Sequence, residues 1–414
     1  MTWTRSDLED VLVGEPELWR AGPPHELFRG LRSECPVHWS GEIPDFPGQP
    51  GYWSVTRPED IHVISRDWRT YSSELGGITA VGVFPLELIR SMFIGMDPPR
   101  HDRLKMLFQA GFTPRRIADH EPAIRAIVVD VLDRLDGRER CDLVTDVAQP
   151  VVSRVIGSFM GVPPEDDAEW ARLMNATLAV GDPDVNPGGI DTLLEDSIPQ
   201  LFGRCRRLIA ERRERPTDDL TSVLVHAEVE GERLEEQEIV MGFFLLMAAG
   251  NDSTKATYCS GMRALMEHPE QRRLLLEDPS LIPGAVEESL RMFPAFAHFA
   301  RTATCDTELA GQPITKGDKL VMWYASSGRD EDRYENPDSF DVRRNPEHQA
   351  FGAGGRHFCL GTSLARLELR VLFEESLARY PGMEPAGEPT WVVSTFVNQL
   401  KSLPVRLGPV ATTA

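Results

Sequence analysis

Phe351-Gly352-Ala353-Gly354-Gly355-Arg356-His357-Phe358-Cys359-Leu360-Gly361 is the run on which the reading of this chain turns. Its glycines let a backbone turn with positive φ and come close to a flat partner. Cys359 stands just before an expected helix whose apolar face is Leu360, Leu364, Leu367 and Val371. Free N–H groups and the helix dipole at such a start favour a thiolate. The competing reading of the run taken alone is a glycine-rich turn carrying a buried cysteine, the weaker of the two.

The rest of the chain narrows the choice. A net charge of −21 over 414 residues argues against nucleic acid and anionic lipid as partners, since both call for a basic face. Residues 1–15 lack the basic start and apolar core of a signal peptide. The longest apolar stretch, 239–250, falls short of the roughly 20 residues a membrane span needs. A cytoplasmic protein without membrane insertion is expected. None of the six cysteines (Cys35, Cys141, Cys205, Cys259, Cys305, Cys359) forms a CxxC pair, so disulfides and cysteine-only metal sites are not expected.

Periodicity predicts a short strand at 53–56 and helices over 58–66, 118–135, 143–160, 192–213 and 282–292. Asp97-Pro98-Pro99 reads as a helix start with Asp97 as cap. Residues 181–190 are a Gly/Pro loop. From 234 to about 266 a single long helix is expected, apolar on every side around Phe243–Ala249 and therefore buried. Strands are predicted at 307–313 and 319–326, and an irregular segment over 336–355. The class is mainly α with minor β.

Several further groups stand against their local pattern. Ala249-Gly250-Asn251-Asp252-Ser253-Thr254 puts polar residues inside the apolar long helix, where Gly, Asp and Ser are disfavoured. His101 and Lys105 lie one helical turn apart, and Glu288 and Arg291 share a helix face. With the cysteine loop, these resemble the cytochrome P450 family. Gly355, His357, Cys359 and Gly361 match the haem loop, with Phe351 one residue further from the cysteine than is usual. Asn336-Pro337-Asp338-Ser339-Phe340-Asp341 and Arg344 match the family's meander. The resemblance runs from about Trp53 to Pro404 and is nearest to actinobacterial enzymes that oxidise branched lipids and steroid side chains.

The resemblance implies a single cytochrome P450 catalytic domain over 1–414, with a long central helix crossing the haem and a cysteine-ligand loop before a C-terminal helix. Heme b (iron protoporphyrin IX) would be held by the Cys359 thiolate, which donates electron density to the metal. His101, Lys105, Arg301 and His357 would meet its propionates, although lysine at 105 lacks the fork of the more usual arginine. Asp252 and Ser253 would be the acid–alcohol pair that delivers protons to O2, with Ser253 replacing the usual threonine and Thr254 as a partial substitute. Glu288, Arg291 and Arg344 would form a structural charged network. The substrate pocket would include Leu245, Ala248, Ala249, Phe296, Ala297, Phe299 and Phe396, with His298 facing either the pocket or, the favoured reading, a structural carbonyl. The implied activity is monooxygenation of an apolar lipid, terpenoid or steroid-like molecule.

No flavin or nicotinamide motif is present, so electrons would come from a ferredoxin and its reductase. Arg100, Arg103, Arg115, Arg116, Arg356, Arg366 and Arg370 would either steer that partner or be ordinary surface charge. A haem-thiolate isomerase, a peroxygenase and a non-catalytic haem or lipid binder are the alternatives; dependence on ferredoxin and formation of product separate them.

Overall fold

The computed structural model describes residues 3–44, 48–109, 111–229 and 231–409. Its centre is the helix Glu236–Glu267, 32 residues long and buried along most of its length. Burial on all sides follows from its apolar middle, and its neighbours supply the walls: Gln149–Met160, Asp167–Leu178, Ile198–Glu214 and Thr362–Arg379 all pack against it. At its start Glu235 and Glu238 form a reciprocal capping box. Among the described residues no helix is long and apolar enough to cross a membrane.

A five-stranded sheet flanks the helices in the order Val37–Ser40, Tyr52–Val55, Lys319–Trp323, His298–Ala303, Tyr71–Ser72. Lys319–Trp323 runs parallel to Tyr52–Val55 and antiparallel to His298–Ala303. The helices at Pro58–Arg66 and Ile282–Met292 have the bounds the periodicity predicts. The stretch 336–355 is irregular, as expected.

Three local expectations are corrected. The predicted strand at 307–313 is a hairpin, Thr307–Leu309 with Gln312–Ile314, because Ala310 and Gly311 both take positive φ. The strand at 319 ends at Trp323, and Tyr324–Ser327 is a short helix. Asp97 does not cap with its side chain: the carboxylate accepts from the Ser73 N–H (2.9 Å) and from the Ser72 hydroxyl, tying the helix start to the sheet.

Candidate active site

Cys359 opens on a cavity of about 200 Å³ between the long helix, the sheet and the C-terminal helix Thr362–Arg379. The loop around it is closed locally. The Cys359 N–H donates to the Phe351 carbonyl (2.9 Å), and the Thr362 hydroxyl donates to the Cys359 carbonyl (2.8 Å). Gly355 has φ +78°, and a Cβ there would lie 2.3 Å from the Ser65 carbonyl oxygen. That glycine is therefore required by close packing on Pro58–Arg66; it does not line the cavity, whereas Gly352 and Gly361 do.

The exposed surface of Cys359 is cavity wall, because the thiol itself lies deep in the molecule. Burial pushes the thiol up. The Gly361 N–H, the Thr362 hydroxyl, Lys105 and Arg366 pull it down without cancelling that effect. The helix start alone thus does not make this sulfur a thiolate; a bound cation or metal would.

Basic side chains gather at one side of the same cavity. His101 and His357 lie with ring centroids 4.2 Å apart, and His357 Nε2 is 3.0 Å from the Ser73 hydroxyl. Both imidazoles are held below the usual range, first by burial and then by neighbouring cations. Arg301 is fully enclosed, and among the described residues the only hydrogen bond of its guanidinium is from Nη1 to the Ala300 carbonyl (2.7 Å). A buried guanidinium without a carboxylate partner is costly unless an anion completes it. The Lys105 ammonium, expected to point at a propionate, donates instead to the Phe358 carbonyl (2.7 Å) and to the Arg356 carbonyl. It fastens the cysteine loop, and burial lowers its pKa.

Most of the remaining lining is apolar and includes Leu245, Leu246, Phe299 and Leu364. A flat, largely apolar dianion with a metal at its centre fits this set: a sulfur ligand on one wall, a buried arginine without an ion pair among the described residues and two imidazoles at one edge, and mostly hydrocarbon elsewhere.

On the long helix the acid and the alcohol part company. Ser253 and Thr254 line the cavity, and the Ser253 hydroxyl donates to the Ala249 carbonyl at 2.7 Å. Asp252 does not line it; its carboxylate pairs with Lys255. Successive helical residues face different directions, so an adjacent pair cannot both point at one atom. Lys255 in turn donates to Gln149 Oε1 (2.8 Å) and Asn175 Oδ1 (3.0 Å), and Asn251 joins the same buried network.

Sequence reasoning missed this network, although Lys255 at i+3 from Asp252 was its signal. It also missed Glu368, which is buried on the cavity wall with its carboxyl pushed up to about 8 by burial, against a hydrogen bond with Thr254. Its signal was a charged residue beside Leu364, Leu367 and Val371 on a core-facing stripe.

The expected charged network is assembled. Arg291 grips Glu288 with two bonds of 2.7 Å, Arg344 Nε donates to Glu288 Oε1 (3.0 Å), and Arg291 also donates to the Gly328 and Pro337 carbonyls. Glu288 and Arg291 are wholly buried, and the network pins the irregular segment to Ile282–Met292.

A second cavity of about 310 Å³ adjoins the first and shares Ile94, Leu245, Ala249, Phe296 and Phe299 with it. Ala248 and Phe396 line it as expected. Ala297 does not: it faces the opposite side of its segment and packs in a cluster with Trp19, Phe28 and Trp323, following the alternation of extended chain. His298 bridges the Thr395 carbonyl (3.0 Å) and the Ala80 N–H (2.9 Å).

Comparison with known proteins agrees with this geometry. A sequence family described as Cytochrome P450 matches residues 190–390. The chain is 36% identical over 410 residues to a methyl-branched lipid omega-hydroxylase of Mycobacterium bovis, covering 96% of this chain and 95% of that one. It is 37% identical over 408 residues to a steroid C26-monooxygenase of Mycobacterium tuberculosis, covering 98% of each. The solved structure of a Mycobacterium marinum cytochrome P450 in complex with pseudoionone superposes with a TM-score of 0.90 at 37% identity, covering 96% of this chain and 98% of that one.

Proposed function

Because this chain belongs to the cytochrome P450 family, and so is a haem b monooxygenase, we propose that it hydroxylates an apolar lipid, terpenoid or steroid-like molecule with O2 and electrons from a ferredoxin. The observation that carries this reading is the second cavity: walled mostly by hydrocarbon, it adjoins the cavity that Cys359 lines and shares Leu245, Ala249, Phe296 and Phe299 with it. The relatives support it, being named for a branched lipid, a steroid and, in the solved complex, the terpenoid pseudoionone.

Haem b, when bound, supplies dioxygen activation and transfer of one oxygen atom into a C–H bond, the other leaving as water. In this reading Cys359 ligates the iron, and Arg301, His101 and His357 neutralise the propionates. Lys105 keeps the loop carbonyls of 356 and 358 in place. Leu245, Ala248, Ala249, Phe296, Phe299 and Phe396 orient the substrate by shape and exclude water. Ser253 passes a proton at its Oγ while its own O–H rests on the Ala249 carbonyl. Asp252 would refill it by swinging away from Lys255, taking a proton from solvent water and passing it to Ser253, while the Gln149–Asn175 network holds Lys255 in place.

Ferredoxin would dock on the thiolate side, where Met106 is an exposed hydrophobic residue that does not line the cavity. The haem-loaded enzyme, with ferredoxin and reductase, is tested on a branched fatty alcohol, testosterone and pseudoionone. A hydroxylated product from at least one is expected; turnover of small polar aromatics alone would overturn the proposal.

A further inference from the structure

We propose, building on the apolar-lipid reading above, that this enzyme takes uncharged lipids such as alcohols, ketones and esters, and rejects ionised fatty acids. Among the described residues lining the larger cavity there is no Asp, Glu, Lys or Arg. Its polar side chains are Thr79, Thr177, His298, Ser394 and Thr395, and most of them are already committed. Thr79 donates to the Val81 carbonyl (2.7 Å) and Thr177 to the Leu173 carbonyl (2.8 Å).

His298 has no charge to offer. Its Nε2 accepts from the Ala80 N–H, so Nδ1 carries the proton and donates to the Thr395 carbonyl. Full burial, together with Lys319 nearby, holds the imidazole neutral, with its pKa lowered to about 3. Lys319 itself stands behind this wall, with its ammonium on the carbonyls of Thr79 and Ala80 (3.2 Å each), and does not line the cavity. Lys401, beside the turn at Val393, is occupied by Asp182 and Asp184.

Two hydroxyls remain. Ser394 Oγ accepts from the N–H groups of Phe396 and Val397 (3.1 Å each), which leaves its own proton free. The Thr395 hydroxyl has no hydrogen-bond partner among the described residues. One or two neutral donors on a single turn suit the oxygen of an alcohol, ketone or ester. They do not balance a carboxylate, whose buried charge is strongly disfavoured without a cation beside it. The arginine and imidazoles at Arg301, His101 and His357 lie at the edge of the cavity that Cys359 lines and serve the cofactor in this reading.

The test is an optical titration of the haem-loaded enzyme at neutral pH with hexadecanoic acid, methyl hexadecanoate and hexadecanol. The ester and the alcohol are expected to bind about tenfold or more tightly than the acid. An acid that binds within that factor overturns the charge selection while leaving the lipid reading intact. If none of the three, nor pseudoionone, shifts the iron spectrum, the lipid reading fails and this inference goes with it.

Discussion

Ser253 and Glu368 carry the two sharpest expectations at the scale of single residues. The Ser253 hydroxyl, beside Asp252 of the Asp252–Lys255 pair, is one of the polar groups that the long helix turns to the cavity. Ser253→Ala is expected to leave substrate affinity unchanged and to lower product formed per electron pair by about tenfold or more, whereas Ser253→Thr keeps coupling. Parallel measurement of reductant consumed and product formed checks this. Glu368 shows a pH dependence with a definite sign. Its ordinary value is 4.5 and its folded value is about 8, so between these the folded chain holds a proton that the unfolded chain has lost. Stability from this group is full below about 4.5 and falls as pH rises through about 8. Glu368→Gln should flatten that slope in denaturant titrations across the window; an unchanged slope would refute the assignment. Sequence made Cys359, His357 and Ser253 legible because their neighbours form a motif. Glu368 has no motif; only its place on an apolar stripe betrays it.

At the scale of elements, the network of Glu288, Arg291 and Arg344 welds an irregular segment to a helix that would otherwise have no reason to hold it. Glu288→Gln leaves two arginines with an incomplete partner in a buried setting, and a loss of about 3–5 kcal/mol is expected, with lower haem retention. Arg344→Lys, at the more exposed end, should cost less. Unfolding midpoints of the two variants decide the order. The helices with strong periodicity were legible in the sequence to the residue at Pro58–Arg66 and Ile282–Met292. The strand His298–Ala303 was not, since it is buried and flanked by aromatic residues without polar alternation. The hairpin at Thr307–Ile314 was hidden because Ala310, a non-glycine residue, takes φ 50° at its turn.

For the whole molecule, the acidic surface leaves little positive field on the thiolate side. Arg103 pairs with Glu232 and Glu238, Arg116 with Asp218, Arg356 with Asp102, Arg366 with Glu287 and Arg370 with Glu121. Of the arginine cluster considered for steering, Arg115 is the exposed member without an ion pair among the described residues. Reduction by ferredoxin is therefore expected to vary little over a salt series, with the exposed Met106 carrying more of the docking. A steep fall in rate with salt would restore the electrostatic account. Pairing of this kind is invisible in sequence, because most of its partners are far apart along the chain.

The account rests on sulfur from Cys359 binding the haem iron. The most direct test is the optical and electron-spin spectrum of the purified haem protein, compared for the native chain, Cys359→Ser and the exposed, remote Cys305→Ser. The native chain and Cys305→Ser are expected to give the same thiolate-ligated ferric and carbon monoxide-bound ferrous signatures, and Cys359→Ser to lose both. Retention of the sulfur signature in Cys359→Ser, or a nitrogen-ligated spectrum in the native chain, would contradict it.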